Sequence, residues 1–288
     1  MDGRNSLVPK TDPFRREKRL AVFLFVLTCC TVFVVRWTRW QPEIATSQSP
    51  AAASLLFAMA LMGILLAHEM GHFGFSVVHR FRISLPWFIP FPFLVGTLGA
   101  IIRFRDRPSH RTGLAEMAAF GPISGFFVIV PCVVVWSVYE VEAAVLSDSM
   151  QLGTPLVFTL IHFVVHGTLE SSLSMYSPMG FAAWIGCLIT AMNLLPFGQL
   201  DGGHLSFAWS PSTARRISQI VTILLVIGGI FLWVGWLAWA FMLHVVGSRH
   251  PVDVRQEHHP LKTRAKVATL CAGLTWVLCF HPVPFTLS

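Results

Sequence analysis

The feature that most constrains this chain is the recurrence of apolar runs long enough to cross a lipid bilayer. The run AAASLLFAMALMGILLAHEMGHFGFSVV, residues 51–78, contains no Lys or Arg. At 1.5 Å per residue, a helix of that length exceeds the roughly 30 Å hydrocarbon core. In lipid every backbone N–H and C=O must be satisfied within the protein, so such runs fold as helices packed against one another. The composition agrees, with 54% hydrophobic and 12% charged residues against about 25% charged in soluble domains. The runs recur along nearly the whole chain and leave no long soluble segment able to build its own core. The expected fold is an all-α polytopic membrane protein with about six transmembrane helices. Residues 1–19 form a polar tail, and residues 20–288 form a single membrane-embedded domain with its core at about 51–205.

The first span is AVFLFVLTCCTVFVV, residues 21–35, which closes on WTRW at 37–40. It lacks a small-residue cleavage site and further spans follow, so it reads as a retained helix rather than a signal peptide. The second span is 51–78. Pro86, Pro90 and Pro92 then break helical structure, and LVGTLGAIIRF, residues 94–104, suits a short membrane-associated hairpin. Further spans are expected at about 113–138, 179–197 and 267–280, with 217–247 a tight helical hairpin around Gly228, Gly229 and Gly235. The stretch PLVFTLIHFVVHG, 155–167, is expected to be a partial or outer-surface helix, because a crossing there would invert every later segment.

Basic residues fix the orientation. Segments 1–19, 79–111, 198–216 and 248–266 hold 6, 6, 2 and 5 Lys or Arg, which is 19 of the 21, while 139–178 holds Glu140, Glu142, Asp148 and Glu170 and no cation. The positive-inside rule makes the first group and the N-terminus cytoplasmic, with Arg36 and Arg39 the exceptions. This distribution explains the net charge of +7 by topology and excludes a nucleic-acid face, which would group its cations on one soluble surface. The cysteines Cys29, Cys30, Cys132, Cys187, Cys271 and Cys279 all lie in apolar runs without CxxC spacing, which excludes a disulfide framework or zinc knuckle and leaves small buried hydrophobes.

The run 51–78 ends on a cluster that lipid does not favour. His68 and His72 stand four apart, so on a helix they share a face one turn apart, as two ligands of a tetrahedral zinc do. Glu69, beside the first, sits too far round the helix to ligate well but can reach a metal-bound water as a general base. An ionisable residue in a span costs about 2.5–3.5 kcal/mol, so an idle HEMGH there is expensive. A third ligand must come from another helix at the same depth. NLLPFGQLDGGH, 193–204, supplies Asp201 behind the helix-breaking Pro196 and Gly198. On its own Asp201 would read as a turn residue before two glycines. His162 and His166 repeat the i, i+4 spacing without an adjacent glutamate, and the expected topology places them away from Asp201. His258 and His259, in a charged loop, read as solvated.

HEMGH in a span, GTLGA at 96–100, AAFGPISG in the next span and NLLPFGQLDGG in a later one together resemble the site-2 protease family of intramembrane zinc metalloproteases. The resemblance runs in the expected order over about residues 55–205. It implies one Zn2+ per chain held by His68, His72 and Asp201, with Glu69 as the catalytic acid/base. Asn193, and with it Gly96, Thr97 and Gly99, are the candidates for orienting substrate or oxyanion. The implied reaction is hydrolysis of a peptide bond within or near a transmembrane segment of a membrane-protein substrate, in regulated intramembrane proteolysis. A helical substrate must unwind, and the edge of LVGTLGAIIRF could hold it extended or could merely close off the membrane face. There is no room for a PDZ insertion between the catalytic spans. The expected partners are that substrate and the bilayer, and a bacterial inner membrane is favoured over an organellar one. An idle scaffold of the same fold would not keep both motifs intact, and a metal transporter would line a path across the bilayer rather than gather its ligands at one depth.

Overall fold

The computed structural model describes residues 13–39, 49–139, 150–169, 173, 177–246, 254 and 260–287. Nine helices and four short strands occur among them. Helix α1 spans Pro13–Arg39, α2 Pro50–Val78 and α3 Arg111–Tyr139. The shorter α4, Leu156–His166, and α5, Pro178–Asn193, follow, then α6 Asp201–Trp209, α7 Pro211–Phe231, α8 Gly235–Val246 and α9 Thr263–Cys279. Among the described residues α1, α2, α3 and α7 are long and apolar enough to cross a membrane, by length and composition.

Helices α2, α3 and α5 pack together as the centre of the molecule, with α9 against α3 and α5 and with α1 against α2. Their shared core holds Phe57, Leu61, Ile64, Ile129, Trp136 and Cys187. Start signals explain several boundaries. Ser49 and Ser177 cap α2 and α5 by accepting from the N–H groups of Ala52 and Gly180, each with a proline in the first turn. Helix α3 runs through Pro122 and Pro131, each of which removes one intrahelical donor, a loss that neighbouring helices make tolerable in membrane proteins.

Helix α5 ends at Asn193, short of the 197 expected from sequence, and at 16 residues reaches only about 24 Å. Pro196 is responsible, since the residue before a proline is pushed out of helical geometry. The hairpin expected at 217–247 is present as α7 and α8, joined at 232–234, but α7 begins earlier, with Pro211 in its first turn. Helix α4 has 11 residues, in keeping with a partial helix. Much of the segment 139–178, including Glu140, Glu142, Asp148 and Glu170, lies outside the described residues, as do the tail 1–12 and the His258–His259 pair.

The expected hairpin forms with a different first strand. Strand β1 is Trp87–Pro90 and pairs antiparallel with β2, Thr97–Ile101, in the register Trp87↔Ile101 and Phe88↔Ala100, with an irregularity before Pro90↔Thr97. The prolines that read as pure breakers flank a strand, which a proline can do at an end or bulge where no ladder N–H is needed. A second pair, β3 Met150–Leu152 with β4 Phe285–Leu287, joins the end of the chain to the segment before α4, and it has no signature in the sequence.

Helix α1 carries the hairpin. Gly96 has φ +91°, and its Cα packs on the backbone of Val32, where a Cβ would collide. Its carbonyl accepts from the Thr31 hydroxyl at 2.7 Å and from Phe91 N–H at 3.1 Å. The two arginines that break the positive-inside pattern are used as packing groups. Arg36 is 1% exposed with its guanidinium 5.5 Å from the Phe57 ring centre, and Arg39 stands equally far from Phe93 on the hairpin.

Candidate metal centre

The histidines of HEMGH lie on the buried face of α2, and α3 presses directly on them. Gly121 and Gly125 of α3 are spaced to match the histidine pair, with Gly121 against the His72 imidazole and Gly125 against His68. A Cβ at Gly121 would overlap the His72 ring, and one at Gly125 would stand 3.3 Å from the His68 Cβ. The small residues of AAFGPISG thus set how closely α3 approaches the ring pair.

Asp201 comes from the other side of the core. The chain leaves α5 at Asn193, turns through LPFGQ and restarts as α6 with Asp201 as its first residue. The far end of α6 is held by Arg111, whose Nε donates to the Ala208 carbonyl at 2.7 Å and whose Nη2 donates to Trp209 at 2.5 Å. A cation at a helix C-terminus favours that end, so α6 is fixed at the turn and at its last carbonyls. The result is convergence. His68 Nε2 lies 3.2 Å from Asp201 Oδ2 and His72 Nε2 lies 3.3 Å from Oδ1.

The three side chains fit a zinc ion. Bonds of about 2.0–2.1 Å at the tetrahedral angle place neighbouring ligand atoms about 3.3–3.4 Å apart; the 3.2 and 3.3 Å separations reach the two different oxygens of Asp201, so either oxygen stands within ligand range of an imidazole. Among the described residues His68, His72 and Asp201 are the group whose ligand atoms converge, all within 4.8 Å of one another. The chemistry of the set agrees, with two imidazoles and one carboxylate and room for a fourth, exchangeable position. His72 is oriented as a ligand should be, because its Nδ1 donates to the Met117 carbonyl at 2.8 Å and leaves Nε2 to face Asp201. Glu69 is 8% exposed, next to the ligands in sequence but not part of the converging set.

The remaining candidates are placed differently. Asn193 closes α5, half-buried, and its side chain has no hydrogen-bond partner among the described residues. Gly96, Thr97 and Gly99 lie in the hairpin, Gly96 tied to Thr31 of α1 and the other two bonded locally. The Thr97 hydroxyl donates to Ile89 O at 3.1 Å and accepts from Gly99 N–H at 3.0 Å, so these groups shape the turn. The His162 and His166 rings lie 4.5 Å apart between centres, tilted by 33°, and His166 Nε2 donates to Ser137 O at 2.7 Å. No third ligand joins them among the described residues.

Sequence reasoning missed two contributors. The Met117 carbonyl is a backbone group that no residue type advertises. The other is a buried ionic cluster further along the same face of α2, where His79 Nε2 lies 2.8 Å from Glu116 Oε2 and Arg264 Nε lies 2.6 Å from Oε1. Glu116 is 3% exposed and needs both partners, so α9 is joined to α2 through α3. His79 stands seven residues beyond His72, a spacing that pointed to this face.

A bundle of apolar helices enclosing an HExxH pair and a carboxylate from a separate LDG turn defines a class, the membrane-embedded metalloproteases. The chain belongs to peptidase family M50, the site-2 protease family, whose family model matches residues 56–235. It is similar to the probable zinc metalloprotease EGY2, chloroplastic, of Arabidopsis thaliana, at 30% identity over 238 residues, 78% of this chain and 41% of that protein. The rice EGY2, Oryza sativa subsp. japonica, is 31% identical over 246 residues, covering 79% and 43%. Arabidopsis EGY1, also named a probable chloroplastic zinc metalloprotease, is 32% identical over 159 residues, covering 53% and 29%. The chain therefore spans less than half the length of these curated relatives. Their chloroplastic naming runs against the bacterial inner membrane expected from sequence. No solved structure matches the chain.

Proposed function

We propose that this chain is a zinc-dependent endopeptidase that cleaves a peptide bond within or near a transmembrane segment of a membrane protein. The observation that carries this reading is the convergence of His68, His72 and Asp201 beside the buried Glu69. A zinc ion held there supplies Lewis acidity and a nucleophilic water near neutral pH. The protein's own groups do the rest. Met117 fixes the His72 tautomer, α3 holds the two rings against Asp201, and Glu69 takes the attacking water's proton and returns it to the leaving nitrogen. Asn193, at the mouth of the LPFGQLDG turn, is assigned to the substrate carbonyl.

Access is supported by an apolar cavity of about 640 Å³ between α6, α7 and α9, which reaches Leu194, Pro196 and Gly202 of the turn carrying Asp201. We assign it to the arriving transmembrane segment, with the β1–β2 hairpin receiving the peptide once unwound. The short helices α5, α8 and α9 complete about six spans with α1, α2, α3 and α7 when α7 and α8 act as one re-entrant pair. The Lys and Arg bias places the N-terminus, the hairpin and the α6–α7 junction on one, cytoplasm-like side. Residues 20–288 then act as one domain, in a pathway of regulated intramembrane proteolysis.

The test is a comparison in proteoliposomes of the full chain with Glu69→Gln, using a single-span substrate. The substitution is expected to keep zinc and to lower turnover by about 10²–10⁴-fold. Wild-type turnover would overturn the assigned base. Zinc content that survives Asp201→Asn and His72→Ala unchanged would overturn the metal centre, and would favour an idle scaffold.

A further inference from the structure

At the opposite end of α1 from its Thr31 contact with the hairpin lies a cavity of about 590 Å³, formed between the first turns of α1 and the base of β1–β2. Arg16 and Leu20 of α1 line one side, and Trp87, Arg103 and Arg105 line the other. The strand base is held closed by the Ile83–Phe104 bridge and by Arg103 N–H donating to the Ser84 hydroxyl at 3.0 Å. Glu17 is already engaged, with Arg105 on one oxygen and the Leu85 N–H at 3.2 Å on the other. Arg16 and Arg103 have no acidic partner among the described residues. Two exposed arginines without an acidic partner among the described residues therefore line one cavity from two elements, beside the Glu17–Arg105 pair.

The surroundings say what kind of anion fits. Arg15, Lys18 and Arg19 of the same helix border a separate cavity of about 410 Å³ together with Val22 and Phe23. The helix then turns outward-apolar at once, with Leu20 45%, Val22 56%, Phe23 61% and Val26 54% exposed. A cationic collar over a lipid-facing apolar surface, with an indole at the boundary, matches the headgroup and upper acyl region of a bilayer. Guanidinium binds phosphate oxygens bidentately. Inorganic phosphate would satisfy the arginines and leave the Leu20 and Phe23 surface unused.

We propose that this cavity binds the phosphate of an anionic phospholipid headgroup, with Arg16 and Arg103 as its ligands. The lipid bridges α1 and the hairpin base, a second tie beside that of Thr31 to Gly96. The site stands apart from the metal centre and does not depend on the catalytic assignment.

The experiment uses the full chain in detergent and counts bound phosphatidylglycerol against phosphatidylcholine by native mass spectrometry. Phosphatidylglycerol is expected to bind selectively, and Arg16→Gln with Arg103→Gln to weaken it about fivefold per arginine. Arg16→Lys with Arg103→Lys keeps the charge but loses the bidentate fork, so it should bind between wild type and the glutamine variant, which separates lost charge from lost fold. Glu17→Gln keeps an acceptor for Leu85 and frees Arg105, so it should tighten binding about fivefold. Arg215→Gln with Arg216→Gln, a distant exposed basic pair, should leave it unchanged. Equal loss in that control, or wild-type binding by the Arg16/Arg103 glutamine variant, would overturn the site. Displacement of the lipid by inorganic phosphate at equal concentration would overturn the lipid assignment in favour of a simple anion site.

Discussion

Replacing Gly121 by alanine tests how the metal centre is built. The added methyl would overlap the His72 imidazole, whereas the same change at Gly125 would place a methyl 3.3 Å from His68 Cβ, only a few tenths of an ångström inside normal carbon contact. The His72 ring has little freedom to retreat. Its Nδ1 donates to Met117 on α3 itself, and its Nε2 is 3.3 Å from Asp201. Either α3 moves away from α2, or the ring turns and gives up the Met117 bond. The first route costs about 1–3 kcal/mol of stability, the usual range for overpacking. The second removes an orienting partner, which lowers metal affinity by about 10–100-fold. Competition of the purified protein with a chromogenic chelator reads the affinity, and melting of the metal-free protein reads the stability. Gly121→Ala should lose zinc strongly, with Gly125→Ala close to wild type. Wild-type affinity and melting in Gly121→Ala, or equal losses in the two variants, would refute α3 as the orienting wall.

Arg264→Met leaves the Glu116 carboxylate with His79 alone. Fully buried pairs lose about 3–5 kcal/mol when one partner goes; with the Arg264 side chain 59% exposed, the cost should be nearer 2 kcal/mol, and an unchanged melting temperature would count against the cluster. Burial, then the neighbouring His79 and Lys262, holds the His110 pKa below its ordinary value of 6.5, and its Nδ1 accepts from Gly113 N–H at 2.9 Å. The folded form thus binds its proton less readily than the unfolded chain, so this stabilisation is present above about pH 6.5 and lost as pH falls below it. His110→Asn, which keeps an acceptor, should flatten that part of the melting profile, and an unaltered profile would contradict the assignment. Thr31→Val removes the hydroxyl bonded to Gly96 O, worth about 1 kcal/mol. It should raise KM for a transmembrane substrate more than it lowers kcat, and equal kcat and KM would show that the hairpin needs no such anchor.

What could be read from sequence was what short-range physics governs. Apolar runs declare helices because lipid offers the backbone no partners, and the i, i+4 spacing of His68 and His72 puts both on one face whatever surrounds them. Pro196 and Gly198 marked the break before Asp201. Residues whose role depends on a distant partner were invisible. The WFIP stretch becomes a strand only because Thr97–Ile101 pairs with it, and buried Arg36 becomes a packing group only because Phe57 lies beneath it.

The site divides along the same line. The sequence alone determined which side chains could ligate a metal, since the donor atoms and their spacing on α2 are local properties. Tertiary structure decided that Asp201, 133 residues from His68, meets both imidazoles, that the Met117 carbonyl selects the His72 tautomer, and that Gly121 admits α3 close enough to hold the ring. Those outcomes depend on how three helices pack, and packing is settled by the whole core at once rather than by any one stretch of chain.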